Sequence, residues 1–154
     1  MILVSACLIG ENCKYNGGNN YCAAVVDYLS GKPYISICPE VCGGLTTPRT
    51  PAEIINGAVI DKHGSDRSAA LASGAEEAAL ICNSLNIKLA ILKEFSPSCG
   101  VNYVYDGSFS GQKISGSGIT AALLRKNGVT VWSEDDVVRN SKCSKISMTQ
   151  LVDK

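Results

Sequence analysis

Cysteine is the residue type in this sequence with the most chemical potential. The chain of 154 residues contains eight cysteines. Its apolar opening run, Ile2–Val4, has no basic residue before it, which is not typical of a secretory signal. Exported proteins usually pair their cysteines as disulfides, whereas cytoplasmic proteins use them as thiols, metal ligands or catalytic groups. We therefore expect a cytoplasmic protein with its chemistry at cysteine.

Three cysteines each come after a segment typical of a short buried strand: Cys7 after Ile2–Ser5, Cys38 after Tyr34–Ile37, and Cys99 after Leu89–Leu92. Open α/β sheets bind ligands beyond the carboxyl ends of their strands, so these thiols could converge there. Converging thiolates suit zinc or an iron–sulfur cluster, and a cluster with only three protein ligands would leave one iron open. Ordinary buried cysteines are the alternative interpretation.

The other five cysteines differ in their surroundings. Cys82 lies on the apolar stripe of a predicted helix and Cys22 lies in a similar setting, so we expect both in the core. Cys143 lies in a polar segment and is expected to have no role. Cys13 and Cys42 stay open, each as a spare ligand or a reactive thiol. The sequence has no C-x-x-C pair, which argues against a zinc ribbon or a thioredoxin-type site.

Strand-like and helix-like segments alternate along the chain. Helical spacing of apolar residues is clearest over 65–85, and shorter helices are predicted over 20–30, over 117–126 and from 133. Residues 38–51 contain three prolines and two adjacent glycines, which predicts an irregular loop. The alternation predicts an α/β fold, a single Rossmann-like domain of three layers with a mostly parallel sheet.

The length and charge of the chain narrow the classes of function. We expect one domain over residues 1–139, followed by a polar tail over 140–154. Fourteen basic and fourteen acidic residues give a formal net charge of zero, so nucleic acid is an unexpected partner. No segment approaches the roughly 20 apolar residues of a spanning helix, so we expect no membrane partner. The oligomeric state is not predicted.

Three long motifs resemble those of one known family. They are VSACLIG at Val4–Gly10 with YNGG at Tyr15–Gly18, CPEVCGGLTTPRTPAE at Cys38–Glu53, and LKEFSPSCG at Leu92–Gly100. Together they are similar to a family of small bacterial proteins, formerly a domain of unknown function, whose characterised members are [4Fe–4S]-dependent 2-thiouracil desulfidases. The resemblance extends over nearly the whole chain, to about Glu134.

This resemblance implies an oxygen-sensitive [4Fe–4S] cluster held by Cys7, Cys38 and Cys99, with one iron free of protein ligands. The implied reaction removes sulfur from a small thiolated pyrimidine such as 2-thiouracil, giving the oxo base and hydrogen sulfide. Two positions depart from the family pattern. Cys42 stands where relatives often have a small residue, and Cys13 is an unexpected thiol, so either could reach the open iron.

Two residues beside the expected ligands could act as catalytic groups. Glu40 is two residues after Cys38, where its carboxylate could serve as a general acid or base. The alternative for Glu40 is a loop carboxylate that caps nearby amides. Ser96 is three residues before Cys99 and could hydrogen-bond a substrate or a cluster sulfur, or could simply stabilise the turn around Pro97.

Other residues near the expected ligands could bind the substrate. Ser98 is adjacent to Cys99 and offers a second hydroxyl. Arg49 could anchor a pyrimidine oxygen or a phosphate, or could pair structurally with Glu53. The segment Gly116–Gly118 precedes a predicted helix whose amide end could hold an anion, which is a weak signal for phosphate.

Three functions are compatible with the sequence. The first is a desulfidase that binds the substrate sulfur at an open cluster iron and hydrolyses the C=S carbon. The second is a protein that binds or delivers a metal, a cluster or sulfur at the same cysteines without catalysis. The third is a metal-free thiol enzyme that uses Cys99 or Cys42 as a persulfide carrier. His63 is the only histidine and is distant in sequence from these cysteines, which argues against cysteine-protease chemistry.

Overall fold

The computed structural model describes the backbone of residues 1–149 and the side chains of residues 1–141. In chain order the strands and α-helices are β1 (Ile2–Ser5), α1 (Ala23–Leu29), β2 (Tyr34–Ile37), α2 (Pro39–Cys42), β3 (Ala52–Ile55), β4 (Ala58–Asp61), α3 (Ser68–Ser84), β5 (Leu89–Leu92), β6 (Tyr103–Tyr105), β7 (Lys113–Ser115), α4 (Ile119–Lys126), β8 (Thr130–Ser133) and α5 (Glu134–Thr149). A single turn of 3₁₀ helix at Ala6–Ile9 follows β1.

The central sheet has four parallel strands in the order β2-β1-β5-β8. In the register of the middle strands, Val4 of β1 lies beside Ser36 on one side and Ile91 on the other. All four residues of β1 are buried, as expected for a parallel strand that is covered on both faces. The predicted α/β fold with a parallel sheet is confirmed.

Helices cover both faces of this sheet. On one face, α3 and α4 pack against the strands and contribute Ala78, Cys82, Ala121 and Leu124 to a buried apolar cluster. On the other face, α1 and α5 contribute Val25, Leu29 and Val137 to a second cluster. The predicted three-layer arrangement is therefore confirmed, and so is the core position of Cys82, which is 3% exposed.

The segment between β2 and α3 is more regular than its composition indicates. Pro39 begins a short helix, α2, because proline is tolerated at the first helical position, where its missing N–H would have no intrahelical partner. The prediction of an irregular loop is therefore wrong for Pro39–Cys42. The strand β3 was not predicted at all. It pairs antiparallel with β4 as a two-stranded hairpin outside the main sheet.

The last helix, α5, begins at Glu134, one residue after its predicted start. Ser133 and Asp136 cap its start, since Asp136 Oδ2 accepts the Ser133 N–H at 2.8 Å and Ser133 Oγ accepts the Asp136 N–H at 3.2 Å. Because α5 extends to Thr149, the proposed division between residues 139 and 140 falls within a helix. The side chain of Cys143 and residues 150–154 lie outside the described part. Within that part, no helix has the length and apolarity needed to cross a membrane.

Candidate functional site

A cavity of about 430 Å³ lies at the carboxyl ends of β1, β2 and β5. Four cysteines line it: Cys7, Cys13, Cys38 and Cys99. Cys7 is in the 3₁₀ turn that follows β1, Cys38 directly follows β2, and Cys99 lies in the loop after β5. The three cysteines that follow strands are therefore brought together as their positions predict, while their role as ligands stays a prediction.

Close packing of α2 on α3 fixes the position of Cys38. A Cβ atom at Gly74 of α3 would lie 1.8 Å from the carbonyl oxygen of Pro39, and a Cβ at Gly43 would lie 1.9 Å from the carbonyl oxygen of Ala70. Only glycine allows two backbones to approach this closely. The helix that begins immediately after Cys38 is thereby held against α3.

A buried carboxylate holds the loop that carries Cys99. Glu94 is 3% exposed, and its Oε1 accepts the backbone N–H groups of Val101, Asn102 and Tyr103 at 2.7, 2.9 and 3.0 Å. Sequence reasoning missed this residue. The available signal was an acidic residue two positions after an apolar strand and inside the LKEFSPSCG motif.

Ser96 stabilises the turn around Pro97, which was one of its two alternatives, while a contact with substrate or a cluster sulfur stays a prediction. Its Oγ accepts the N–H groups of Ser98 and Cys99, each at 3.0 Å, which stabilises the turn. The same hydroxyl donates to Glu40 Oε1 at 3.3 Å. The Ser96 side chain thus joins the Cys99 turn to the Glu40 carboxylate in the wall of the cavity.

Cys13 has the largest effect on the pKa values of the neighbouring thiols, Cys7 and Cys38. The Cys13 side chain interacts electrostatically with the thiols of both Cys7 and Cys38, and the Cys38 thiol also contacts the carbonyl oxygen of Cys13 at 3.8 Å. The interaction with the Cys13 side chain is the main cause of a lowered pKa at Cys7, with a further contribution from Asn20. The pKa of Cys38 is lowered to about 6, chiefly by Cys13 and also by the backbone N–H of Val41. Correspondingly, the pKa of Cys13 itself is raised.

Cys99 has a different environment from the other three thiols. It is 6% exposed, and burial raises its pKa although a hydrogen bond with the Ser5 side chain acts in the opposite direction. Ser5 Oγ also accepts the backbone N–H of Lys93 at 3.0 Å. Loading of a metal at Cys99 would have to remove its proton, as metal binding to thiols generally does.

Arg49 pairs with Glu40 and not with Glu53, so the alternative of a structural Arg49–Glu53 pair is wrong, while its role in substrate binding stays a prediction. Arg49 Nε donates to Glu40 Oε2 at 2.7 Å, and Nη2 donates to the carbonyl oxygen of Cys13 at 3.0 Å. Its Nη1 donates to Thr47 Oγ1 at 3.1 Å. Arg49 lines the cavity, and its hydrogen bonds connect Glu40, Cys13 and Thr47 to one another in the cavity wall.

Ser98 does not line the cavity among the described residues. Its side chain is fully buried, and its Oγ lies 2.8 Å from Thr120 Oγ1 at the start of α4. The amides there are also occupied, since Ile119 N–H donates to the Pro97 carbonyl at 2.9 Å and Thr120 N–H donates to the Ser98 carbonyl at 2.8 Å. The buried position of Ser98 contradicts its assignment as a substrate contact. Because the amides at the start of α4 already donate to protein carbonyl groups, the weak prediction of a phosphate site at Gly116–Gly118 is also wrong.

The donor set suits a cluster better than a single ion. Among the described residues, no group of three or more cysteine, histidine or acidic side chains is close enough to hold one metal ion. A [4Fe–4S] cube is larger than an ion and takes thiolates that are farther apart. Cys7, Cys38 and Cys99 supply soft sulfur donors around one cavity, which fits such a cluster.

The other cysteines of the described part differ in their exposure and in whether they line the cavity. Cys42 is exposed and is not among the cavity-lining residues of the described part, so its place gives no support to a fourth ligand. Cys22 is half-buried and packs against the apolar cluster beneath α1 and α5, as expected. Of the two cysteines whose role was left open, Cys13 is the one that lines the cavity.

A cation and aromatic rings also face the cavity, and sequence reasoning assigned none of them. Lys93 lines it and forms an ion pair with Glu134 at the start of α5. Phe95, Tyr105 and Phe109 line it as well. Glu134 is distant in sequence from Lys93, so no local pattern predicts their contact.

Comparison with known proteins identifies the family. The sequence profile described as 2-thiouracil desulfurase matches residues 2–136. The uncharacterized protein YbbK of Bacillus subtilis (strain 168) is 41% identical over 147 residues, which cover 89% of this chain and 97% of YbbK. The solved structure of the [4Fe–4S]-dependent thiouracil desulfidase TudS has a TM-score of 0.85 and 40% identity, covering 94% of this chain and 97% of TudS. The chain belongs to the 2-thiouracil desulfurase family.

Proposed function

We propose that this protein is a [4Fe–4S]-dependent desulfidase that removes sulfur from a thiolated pyrimidine such as 2-thiouracil. The observation that carries the proposal is a single cavity lined by Cys7, Cys38 and Cys99 together with Glu40 and Ser96. The family profile and the similarity to TudS support the same activity. A soft donor set and a carboxylate in one cavity provide for both sulfur binding and proton transfer.

Cys7, Cys38 and Cys99 would hold the cluster. When bound, a cluster with one iron free of protein ligands would supply a Lewis acid for the soft thiocarbonyl sulfur. Hydrogen bonding in the site already favours the thiolate forms of Cys7 and Cys38, the forms that ligate iron. Cys13 is left as a neighbour of two ligands and not as a ligand itself.

Glu40 would act as the general base for the attacking water. Its Oε2 is engaged by Arg49, and its Oε1 accepts only the longer hydrogen bond from Ser96 among the described residues. Oε1 is therefore the oxygen that can take a proton from water at the ring carbon and return it to the ring or the leaving sulfur. Ser96 would fix the direction of Oε1, and Arg49 would act as a positioning residue.

Anaerobic reconstitution tests the proposal. We expect about four irons per chain, with conversion of 2-thiouracil to uracil and sulfide. Cys7→Ala, Cys38→Ala and Cys99→Ala should each lose iron and turnover. Cys42→Ala is the matched control, because Cys42 is exposed and outside the cavity, and it should keep both. Full iron content without turnover of 2-thiouracil would contradict the desulfidase and would favour a cluster-binding or delivery protein.

Two further variants separate the roles within the site. Glu40→Gln should keep the iron and lose turnover by roughly a hundredfold or more, as expected for a general base. Cys13→Ala should retain about four irons if three cysteines suffice. Loss of iron in Cys13→Ala would mean that Cys13 belongs to the ligand set, and normal turnover in Glu40→Gln would remove its role as base.

A further inference from the structure

Both phenylalanines of the chain line the cavity, and both have a positive φ. The φ angles are 69° at Phe95 and 55° at Phe109. The other non-glycine residues with positive φ in the described part are Asn56 and Asn86, and asparagine adopts this conformation comparatively easily. For a bulky aromatic residue it is a steric outlier, and such strain concentrates at functional sites. The fold thus maintains two aromatic side chains at the cavity in an unfavourable conformation.

The loop after β5 holds Phe95 in this conformation. The Phe95 N–H donates to the carbonyl oxygen of Tyr103 at 3.2 Å, and Phe95 forms an isolated bridge with Val104 of β6. Its ring lies 6.1 Å from that of Tyr105, at an angle of 42°, and Tyr105 also lines the cavity. Phe95 is therefore part of an aromatic wall and not an isolated ring.

A buried carboxylate holds Phe109. Glu53 of β3 is 8% exposed, and its Oε2 accepts the Phe109 N–H at 3.1 Å. This bond joins the turn between β6 and β7 to the β3–β4 hairpin. It thereby holds a second aromatic residue in the lining of the same cavity as Phe95.

One face of the Phe95 ring is already covered. The Nζ of Lys113 lies 3.8 Å from the ring centroid, and Lys113 is exposed and is not among the cavity-lining residues of the described part. Since Phe95 itself lines the cavity, the face turned toward Lys113 is not the one that a ligand would meet. The Nζ of Lys93, which lines the cavity, lies 5.3 Å from the same centroid, so a ligand would meet the part of the ring that neither ammonium group covers.

We propose that Phe95 and Phe109 form an aromatic subsite on which the planar pyrimidine ring of the substrate stacks. The inference rests on the proposed function and specifies how the same cavity recognises its substrate. Stacking between a base and an aromatic side chain changes affinity by roughly 5- to 100-fold. It needs a flat π face, so the subsite selects planar rings over puckered, saturated ones.

The first test uses the wild-type reconstituted protein and two ligands that are not turned over. Uracil is planar, whereas 5,6-dihydrouracil has the same carbonyl and N–H groups on a puckered ring. We expect uracil to bind at least fivefold more tightly by calorimetry. Equal affinities, or no binding of uracil, would overturn the subsite. Tighter binding of uracil without turnover of 2-thiouracil would support the subsite and overturn the desulfidase.

The second test uses Phe95→Leu and Phe109→Leu. Leucine keeps a branched apolar side chain at the same φ, so backbone strain is matched while the π face is removed. We expect KM for 2-thiouracil and Kd for uracil to rise about 5- to 100-fold, while kcat changes much less. Phe95→Tyr keeps a ring and should lose less affinity than Phe95→Leu. Iron content and circular dichroism report whether each variant is folded and loaded.

Tyr28→Leu is the matched control for loss of an aromatic ring elsewhere. Tyr28 packs against Trp132, with ring centroids 5.9 Å apart, and it is not among the cavity-lining residues of the described part. It should leave KM and Kd unchanged within a factor of about two. KM and Kd unchanged in both leucine variants, or a fall in kcat alone, would overturn the stacking role of the two phenylalanines.

Discussion

Arg49 Nε lies 2.7 Å from Oε2 of Glu40, and the two side chains are only 9% and 17% exposed. The pair joins the short helix after Cys38 to the proline-containing loop that precedes β3. It also leaves the second carboxylate oxygen of Glu40 to Ser96. In the described part of the chain, Arg49 thus holds this carboxylate at Oε2 and Ser96 contacts it at Oε1, which fixes its orientation in the cavity.

We expect Arg49→Leu to destabilise the protein by about 2–4 kcal/mol. Breaking a buried ion pair costs about 3–5 kcal/mol, and the partial exposure of this pair reduces that figure. Urea unfolding measures the change. Arg139→Leu is the control, because Arg139 is 70% exposed in its pair with Asp136 and should change stability by less than about 1 kcal/mol. Equal effects of the two substitutions would contradict a structural role for the Arg49–Glu40 pair.

Gly74→Ala should destabilise the protein by about 1–3 kcal/mol or more. The new methyl group would lie 1.8 Å from the Pro39 carbonyl oxygen, so α2 would have to move away from α3. Because α2 begins directly after Cys38, we also expect a lower iron content after reconstitution. Ser73→Ala is the control at an exposed position of the same helix. A stable Gly74→Ala variant with full iron content would show that the close approach is not required.

Loss of the Glu94 carboxylate should loosen the turn around Cys99. In Glu94→Ala, three backbone N–H groups lose their acceptor, which we expect to cost on the order of 3 kcal/mol. Hydrogen exchange at Val101, Asn102 and Tyr103 should accelerate before the rest of the sheet is affected. Glu76→Ala, at an exposed position of α3, should leave this exchange unchanged. Retained protection of these amides in Glu94→Ala would contradict the role of the carboxylate.

Asp61 should make the protein less stable in acid. Hydrogen bonds from the Ser65 N–H, from the Arg67 guanidinium and from the His63 N–H lower the pKa of the Asp61 carboxyl. A group whose pKa is lowered by folding stabilises the native state above its unfolded pKa, which is about 4 for aspartate. That contribution is lost as the pH falls below about 4 toward the folded pKa.

Asp61→Asn tests this pH dependence. Between about pH 5 and pH 3, the midpoint of urea unfolding should decline less steeply in the variant than in the wild type. This range extends about one pH unit on either side of the unfolded aspartate pKa. Asp27→Asn, at an exposed position of α1, should follow the wild-type curve. Parallel curves for wild type and Asp61→Asn would contradict the prediction.

Local patterns were sufficient to predict the strands β1, β2 and β5, the long helix α3 and the convergence of Cys7, Cys38 and Cys99. Parallel strands with apolar side chains on both faces have a recognisable composition, and their carboxyl ends meet at one edge whatever the intervening sequence. The same patterns misjudged Pro39–Cys42, because they treat proline as a helix breaker whatever its position.

Contacts between residues distant in the chain could not be read from such patterns. Cys13 reaches Cys38, Arg49 reaches Glu40 and not Glu53, and Ser98 turns toward Thr120, each because the packing of separate elements sets the direction of the side chain. Spacing along the chain fixes which end of a strand a residue occupies, but it does not fix which of several neighbouring polar groups it will meet. That choice depends on close approaches such as α2 on α3, which exist only once the whole domain has packed.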